Sequence, residues 1–177
     1  MKAEPLAITG ATLLRAELHS DDRGSFRRVL DLTALRASGL EAAVDQVSVA
    51  TNAVAGTVRG LHYQAAPHGE AKTLWCTTGA VFDVLVDLRP GPGYGRWLSV
   101  ELSADEPVAL HVPRGVAHGY QTLVDDTALA YLISTPFVAS ASRSLRWDDP
   151  TLAITWPLPL TRISDRDREA PAWPALP

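Results

Sequence analysis

Short runs of apolar residues, many of them β-branched, recur along most of the chain and are separated by Gly, Pro and Asp. Such runs between turn residues predict strands, and many short strands favour a sandwich or a closed barrel. Gly79 and the Asp125–Asp126 pair predict hairpin turns. The predicted strands are Ile8–Leu18, Phe26–Leu30, Val44–Thr51, Val58–Tyr63, Lys72–Thr77, Val81–Leu88, Trp97–Leu102, Val108–Val112, Gly119–Leu123 and Ala128–Ser134.

Helical periodicity is scarce. It predicts one short helix at Leu32–Ser38 and a second that starts after Ser164, a residue suited to an N-cap. The stretch from Asp148 onward is rich in proline and irregular, so we expect it to wrap the barrel. Residues 1–177 are therefore predicted to form a single domain with mainly β structure.

The strand at Val81–Leu88 shows two different faces. Alternate residues of a strand point to opposite sides, so Asp83 and Asp87 share a face with Val81 and Leu85. The other face is purely apolar and must pack against other residues. Carboxylates among aliphatic side chains are expected where the interior of a small barrel holds a polar ligand.

Composition excludes several classes of protein. The 177 residues carry a formal net charge of -4, which argues against a nucleic-acid binder with its basic stripe. No apolar stretch is long enough to span a membrane or to act as a signal peptide. The one cysteine, Cys76, rules out an intrachain disulfide and suits a reducing compartment, so we expect a cytoplasmic protein.

The segment Arg59–Gln64 carries two residues suited to chemistry. Arg59 and His62 lie three positions apart, which puts them on opposite faces of a regular strand. Gly60 between them allows a β-bulge that would turn both toward one cavity. The alternative interpretation makes His62 a hydrogen-bonded core residue and Arg59 a partner in a surface ion pair.

The segment Pro113–His118 has a Pro-x-Gly-x-x-His pattern similar to the second motif of cupins, the small double-stranded β-helix barrels. The first cupin motif would need a histidine where this chain has Gln64. A metal-binding cupin requires about three or four ligands from the two motifs. The incomplete set argues against a transition-metal site and against a metal-dependent cupin oxygenase or isomerase.

Many short motifs, taken in order, closely resemble the dTDP-4-dehydrorhamnose 3,5-epimerases and their relatives in antibiotic deoxysugar pathways. The resemblance implies a cupin-type double-stranded β-helix, or jelly-roll barrel. Its motifs lie at Asp21–Phe26, Arg59–Gln64, Ala71–Lys72, Val81–Val84, Asp87–Arg89, Ala117–Gly119, Arg146–Pro150, Leu152–Pro157 and Ser164–Asp167.

The resemblance also assigns catalytic roles. It makes His62 the base that removes a proton next to the ketone of a dTDP-4-keto-6-deoxy sugar, with Asp167 as its carboxylate partner. Asp83 is a second carboxylate able to hold His62. Lys72 would stabilise the enolate, and Tyr131 would return a proton on the opposite face. No metal or cofactor is expected, because the ketone itself accepts the electrons.

Substrate-binding residues follow from the same resemblance. Arg23 and Arg59 would hold the diphosphate, since guanidinium groups match phosphate oxygens. His118 would lie near the sugar, and Phe26 and Gln46 would contribute to the nucleotide or sugar pocket. Relatives are usually homodimers, often with N-terminal strands exchanged between subunits, and we expect a homodimer here.

Three positions of the proposed pocket differ from the usual family residues. Phe137 replaces a tyrosine that stacks on thymine, and it keeps the ring. Arg28 stands where a glutamate is usual, and Ser48 where an asparagine is usual. These changes leave open whether C3, C5 or both are inverted. Two other functions stay open as well: a ketoisomerase that moves the ketone from C4 to C3, and a non-catalytic sugar-nucleotide binder.

Overall fold

The computed structural model describes residues 1–173. Nearly all of the regular structure in this range is β, as the sequence predicts. Its elements are β1 (Lys2–Pro5), β2 (Thr12–Arg15), β3 (Leu18–Asp21), β4 (Gly24–Arg27), α1 (Leu32–Ala37), β5 (Gln46–Asn52), β6 (Val58–Gln64), β7 (Lys72–Thr78), β8 (Ala80–Asp87), β9 (Trp97–Ser103), β10 (Val108–Val112), β11 (Val116–Thr122), β12 (Thr127–Ile133), β13 (Ser142–Ser144) and α2 (Asp165–Arg168).

Two antiparallel sheets form the body of the molecule. One has six strands in the order β1-β2-β10-β7-β12-β5, and the other has five in the order β13-β6-β11-β8-β9. Successive strands of the chain repeatedly change sheet, so both sheets are built from distant segments. This arrangement is the predicted cupin-type jelly roll. Within the described range, neither α1 nor α2 is long and apolar enough to cross a membrane.

The predicted hairpin turns at Gly79 and Asp125–Asp126 are wrong. At Gly79, where φ is +73°, the chain leaves β7 in the six-stranded sheet and enters β8 in the five-stranded sheet. The chain makes the reverse crossing between β11 and β12. Turn residues mark both corners, but the strands pair with distant partners because each sheet must cover the apolar face of the other.

The predictions at the N-terminus need correction too. The strand predicted at Ile8–Leu18 was too long: only β2 lies within it, and β3, which belongs to a different sheet, begins at its last residue. The strand predicted at Phe26–Leu30 is β4, which ends at Arg27. Sequence patterns missed β1, an edge strand paired to β2 alone among the described strands, because its four residues form too short a run and include no β-branched or aromatic side chain.

The main core lies between the two sheets. Leu74 and Leu110 from the six-stranded sheet pack with Val81 and Leu85 from β8, and all four are essentially inaccessible to solvent. Burying each such side chain contributes about 1.5–3 kcal/mol. The face of β8 that carries Val81 and Asp83 therefore points inward, as its alternation predicts.

The opposite face of β8 carries a second apolar cluster. Val84 and Val86 pack with Leu145 and Leu152, which come from the chain after the last long strand. The Trp97 indole N–H also donates a 2.8 Å hydrogen bond to the Leu152 carbonyl. These contacts seat the irregular C-terminal stretch on the outside of the five-stranded sheet.

A third cluster lies outside the six-stranded sheet, where α1 covers β2 and β10. Asp31 caps this helix by accepting hydrogen bonds from the Thr33 and Ala34 amides. Leu35 then packs on Leu14. Beneath this layer His111 is only 2% exposed.

The buried imidazole of His111 is expected to make stability depend on pH. Its Nδ1 atom lies 2.9 Å from the Thr73 hydroxyl, and burial lowers the pKa of His111 despite the nearby carboxylate of Glu41. Below about pH 6.5 the unfolded chain therefore binds a proton that the folded chain refuses, so the free energy of unfolding falls as the pH falls.

The variant His111→Asn should lose this contribution. We expect the difference in the free energy of unfolding between wild type and variant to shrink from pH 7.5 to about pH 5, by about 1.4 kcal/mol for each unit of pKa depression. Thermal unfolding at several pH values measures it, with exposed His68→Asn as the control. If stability depends on pH in the same way for wild type and His111→Asn, then the lowered pKa of His111 is not the source of the pH dependence.

Candidate active site

A bulge in β6 turns two of the predicted site residues in the same direction. Opposite β11, His62 pairs with His118 and Arg59 pairs with Tyr120, so two residues of β6 face Gly119 alone. Gly60, with φ at +111°, occupies the bulge. A Cβ atom there would lie 2.7 Å from the Gly119 Cα, so only glycine fits. The bulge predicted from the sequence is present.

His62 is hydrogen-bonded to a carboxylate from the C-terminal segment. Its Nε2 lies 2.6 Å from Asp167 Oδ1, and the Gly60 N–H donates to Asp167 Oδ2 at 3.2 Å. Asp167 is fixed because it lies in α2, which Ser164 caps. Burial by itself would raise the pKa of Asp167, but the bonds from His62, Gly60 and Ser164 outweigh it and lower the pKa.

Side chains from both sheets line a cavity of about 220 Å³ inside the barrel. Burial raises the pKa of Tyr131 well above its usual range, with smaller contributions from Tyr120 and Asp83, so its phenol stays protonated at neutral pH. The cavity thus holds a basic imidazole, an ammonium group and a phenol donor. Its lining residues are Ser48, Ala50, Arg59, His62, Lys72, His118, Tyr120, Tyr131 and Ile133.

The second candidate carboxylate, Asp83, contacts a different histidine. Its Oδ2 lies 2.8 Å from His118 Nε2, and Asp83 is completely buried. Burial raises its pKa even though the bond to His118 acts in the opposite direction. Asp83 Oδ1 makes no hydrogen bond to any described residue. The sequence left Asp83 and Asp167 as candidate partners of His62, and in the structure Asp167 is the one that contacts it.

A cleft of about 390 Å³ adjoins the cavity and shares Arg59 and His62 with it. Arg162 and Arg166 also line this cleft, so three guanidinium groups surround it. The Arg59 Nε donates to Asn52 Oδ1 at 2.8 Å, which fixes the direction of its fork. Such a cluster is suited to a phosphate-bearing ligand. Sequence analysis missed Arg162 and Arg166, although Arg162 lies just before the Ser164–Asp167 motif and Arg166 lies within it.

Comparisons with known proteins point in one direction. The family model described as dTDP-4-dehydrorhamnose 3,5-epimerase matches residues 5–174. The chain belongs to this epimerase family. It is 40% identical to the dTDP-4-dehydrorhamnose 3,5-epimerase of Sinorhizobium fredii, over 100% of this chain and 92% of that protein. The chain is accordingly an isomerase.

Solved structures of the family superpose closely on the epimerase. The dTDP-4-dehydrorhamnose 3,5-epimerase of Bacillus anthracis, with TDP and PPi bound, gives a TM-score of 0.94 at 38% identity, covering 97% of this chain and 99% of that one. A 3′-monoepimerase from Streptomyces bikiniensis, in complex with dTDP-quinovose, gives 0.90 at 36% identity, covering 96% and 86%. The family thus includes enzymes named for two epimerisations and enzymes named for one.

Three of the predicted substrate-binding residues of the epimerase lie away from the cavity. Arg23 and Phe26 belong to the β3–β4 hairpin, and Arg28 follows it. The Arg23 side chain is 85% exposed and pairs only with Asp21 among the described residues. Phe26 is 65% exposed, and Arg28 forms a loose 3.4 Å ion pair with Asp31. Among the described strands this hairpin pairs with none outside itself, and these three residues line neither the cavity that holds His62 nor the cleft beside it.

The remaining predicted residues lie on β5 or just after β12, the two strands that contribute Ser48, Ala50, Tyr131 and Ile133 to the cavity. Ser48 lines the cavity beside Tyr131, its pairing partner, and Gln46 lies two residues earlier on β5. Phe137 is 58% exposed just beyond β12. Its segment is held by Gln64, whose Oε1 accepts a 2.7 Å hydrogen bond from the Val138 amide.

No cluster of three or more His, Cys, Asp or Glu side chains suited to a metal ion occurs in residues 1–173. Gln64, which stands where a metal cupin would have a histidine, instead accepts from the Val138 amide through Oε1, and its Nε2 lies 2.9–3.3 Å from three oxygens that share its two N–H groups. That the epimerase works without a metal or cofactor stays a prediction.

The bulge can be tested by adding one methyl group. Gly60→Ala should destabilise the epimerase by about 2–4 kcal/mol, because alanine is strained at this φ and its Cβ would overlap β11. Urea unfolding measures the loss. Gly69→Ala, whose Cβ would meet atoms no closer than 3.8 Å, is the control and should change stability by less than about 1 kcal/mol. Equal urea midpoints for Gly60→Ala and Gly69→Ala would show that the bulge does not require glycine at position 60.

Proposed function

We propose that this enzyme inverts one or both of the carbons next to the C4 ketone of a dTDP-4-keto-6-deoxyhexose. One observation carries the proposal: the His62–Asp167 pair and the Tyr131 phenol line one cavity, which opens onto a cleft with three arginines. The names of the relatives, all dTDP-sugar epimerases, support the same substrate class.

Proton removal falls to His62. Asp167 accepts the Nε2–H at 2.6 Å, which leaves the lone pair of Nδ1 free to act as the base. The imidazole takes the proton at C3 or C5, and the electrons of the broken C–H bond move into the C4 carbonyl. The Asp167 carboxylate stabilises the imidazolium that forms.

The product of this step is an enolate whose oxygen carries negative charge. Lys72 lines the same cavity and offers an ammonium group to that oxygen. His118, held by Asp83, is a second polar group at the inner end of the cavity. A fixed charge in a site that excludes water stabilises a developing anion by a few kcal/mol.

Inversion requires a proton on the face opposite the base. Tyr131 is the donor, because burial keeps its phenol protonated at neutral pH. The phenol gives its proton to the carbanion carbon, the C4 ketone re-forms, and solvent then returns a proton to the tyrosine and removes the one on His62. The reaction needs no external oxidant or reductant.

The diphosphate lies in the cleft lined by Arg59, Arg162 and Arg166 in this proposal. Phe137, an exposed ring four residues after the cavity-lining Ile133, provides a surface on which the nucleotide base stacks. The nucleotide then anchors the substrate while the sugar enters the cavity.

A second copy of the chain completes the site. The β3–β4 hairpin is solvent-exposed and pairs with no other described strand, and an isolated hairpin is marginal in water. On the edge strand β5, Val47 and Val49 are 67% and 65% exposed, although the strand borders the cavity. We therefore propose a homodimer in which one subunit's hairpin brings Arg23 and Phe26 to the partner's cavity.

The acid and base roles predict different results for two variants. With dTDP-4-keto-6-deoxyglucose in D₂O, proton NMR should show deuterium entering C3, C5 or both with the wild type. His62→Ala should abolish this exchange, by at least about 10²-fold. Tyr131→Phe should still permit exchange but slow inversion by a similar factor.

Matched controls accompany both variants. His68→Ala removes an exposed histidine and Tyr94→Phe removes a hydroxyl outside the cavity, so both should keep the wild-type rate. Inversion at the wild-type rate by Tyr131→Phe would make the acid assignment wrong. Movement of the ketone to C3 would identify a ketoisomerase, and no turnover by wild type would favour a binding protein.

The dimer proposal predicts complementation between two inactive variants. His62→Ala and Arg23→Ala, each in its own subunit, leave one intact site in every mixed dimer. Co-expression in equal amounts should therefore restore about a quarter of wild-type activity. If both residues act within one chain, the mixture stays as inactive as its parts.

A further inference from the structure

Behind the cavity, the Lys72 ammonium group has a carboxylate partner that the mechanism does not use. Lys72 Nζ lies 3.0 Å from Glu70 Oε1, and the two side chains are only 12% and 11% exposed. An ion pair so far removed from water is costly unless both charges are well bound. The rest of the Glu70 carboxylate is in fact bound.

Its second oxygen is held by Gln64. The Gln64 Nε2 donates to Glu70 Oε2 at 2.9 Å, while Gln64 Oε1 accepts from the Val138 amide. Gln64 itself is 4% exposed and anchored in β6, two residues from His62. The Glu70 carboxylate therefore has one oxygen for Lys72 and one for Gln64. Its orientation is set through Gln64 by β6, the strand that also carries His62.

We infer that Glu70 is a positioning residue for catalysis: it holds the Lys72 ammonium at the point where the enolate oxygen forms. That an enolate oxygen forms beside Lys72 rests on the proposed function. The pairing of Glu70 with Lys72 rests only on the contacts between their side chains. This role also explains Gln64, which stands where a metal-binding cupin would have a histidine. Here Gln64 orients Glu70, the carboxylate that pairs with Lys72.

The charge of Glu70 is what this role requires. Lys72 and Gln64 contact different oxygens of Glu70, and a glutamine at position 70 would place an NH₂ group at one of these two positions, so it could not accept at both. The new NH₂ group would face a donor of Lys72 or Gln64. The Lys72 side chain, which has four rotatable bonds, would then move its ammonium group away from the cavity position that Glu70 now fixes. Groups that contact only the substrate's nucleotide are untouched, so binding should persist while turnover falls.

Steady-state kinetics test the inference. Glu70→Gln should lower kcat at least about tenfold, the factor expected for a lost charge-assisted hydrogen bond, with KM changed by less than about twofold. The matched control is Glu4→Gln, which breaks the chain's other Lys–Glu pair, between Lys2 and Glu4 at 2.9 Å on the surface. That control should keep both constants. A wild-type kcat in Glu70→Gln would overturn the inference.

Lys2 and Lys72 are the only lysines in the sequence, so ¹⁵N-lysine labelling gives a two-signal spectrum of their ammonium groups. Lys2, 78% exposed, exchanges rapidly with water, whereas the paired Lys72 should give a protected signal. Glu70→Gln should shift or remove that signal and Glu4→Gln should leave it in place.

The two measurements separate the possible failures. Absence of deuterium exchange in the wild type would refute the proposed function, and the spectrum would still decide whether Glu70 holds Lys72. An unchanged Lys72 signal in Glu70→Gln refutes the pairing whatever the kinetics. If Glu70→Gln does not fold, Glu70→Asp keeps the charge but withdraws the carboxylate by one methylene, and the same loss of kcat is expected.

Discussion

The bulge at Gly60 is the constraint on which the site depends. Without the extra residue in β6, Arg59 and His62 would point to opposite sides of the sheet, one to the cavity and one to the outer layer. With it, one strand supplies both a guanidinium group and an imidazole to the same cavity. The Gly60 amide also donates to Asp167, so the bulge helps to hold the carboxylate that contacts His62.

The two His–carboxylate pairs of the barrel differ in the pKa of their carboxylates. Asp167 lies at the cleft, has a lowered pKa and carries a charge beside His62. Asp83 lies inside the barrel, has a raised pKa and bonds to His118. The same two residue types thus shift the carboxylate pKa in opposite directions, because Asp167 accepts several hydrogen bonds beside a partly exposed histidine whereas Asp83 is fully buried beside a buried one.

Sequence patterns predicted the central strands well, since β6, β7, β8 and β10 are apolar runs bounded by turn residues. They did not predict strand pairing, because a turn at Gly79 looks the same whether the chain folds back or crosses to another sheet. Nor did they decide between Asp83 and Asp167 as the partner of His62, which depends on how the chain after β13 returns to β6. Arg162 and Arg166 carry no pattern that distinguishes them from surface charges.

The order of the chain has a consequence for biosynthesis. The last long strand of the barrel, β12, ends at Ile133, whereas the carboxylate that contacts His62 is residue 167, in a segment held on the outside of the five-stranded sheet by Leu152 and Trp97. A nascent polypeptide therefore completes its long strands well before Asp167 has been synthesised. Until the trailing segment docks, His62 lacks its 2.6 Å contact and Val84 and Val86 lack the apolar cover of Leu145 and Leu152.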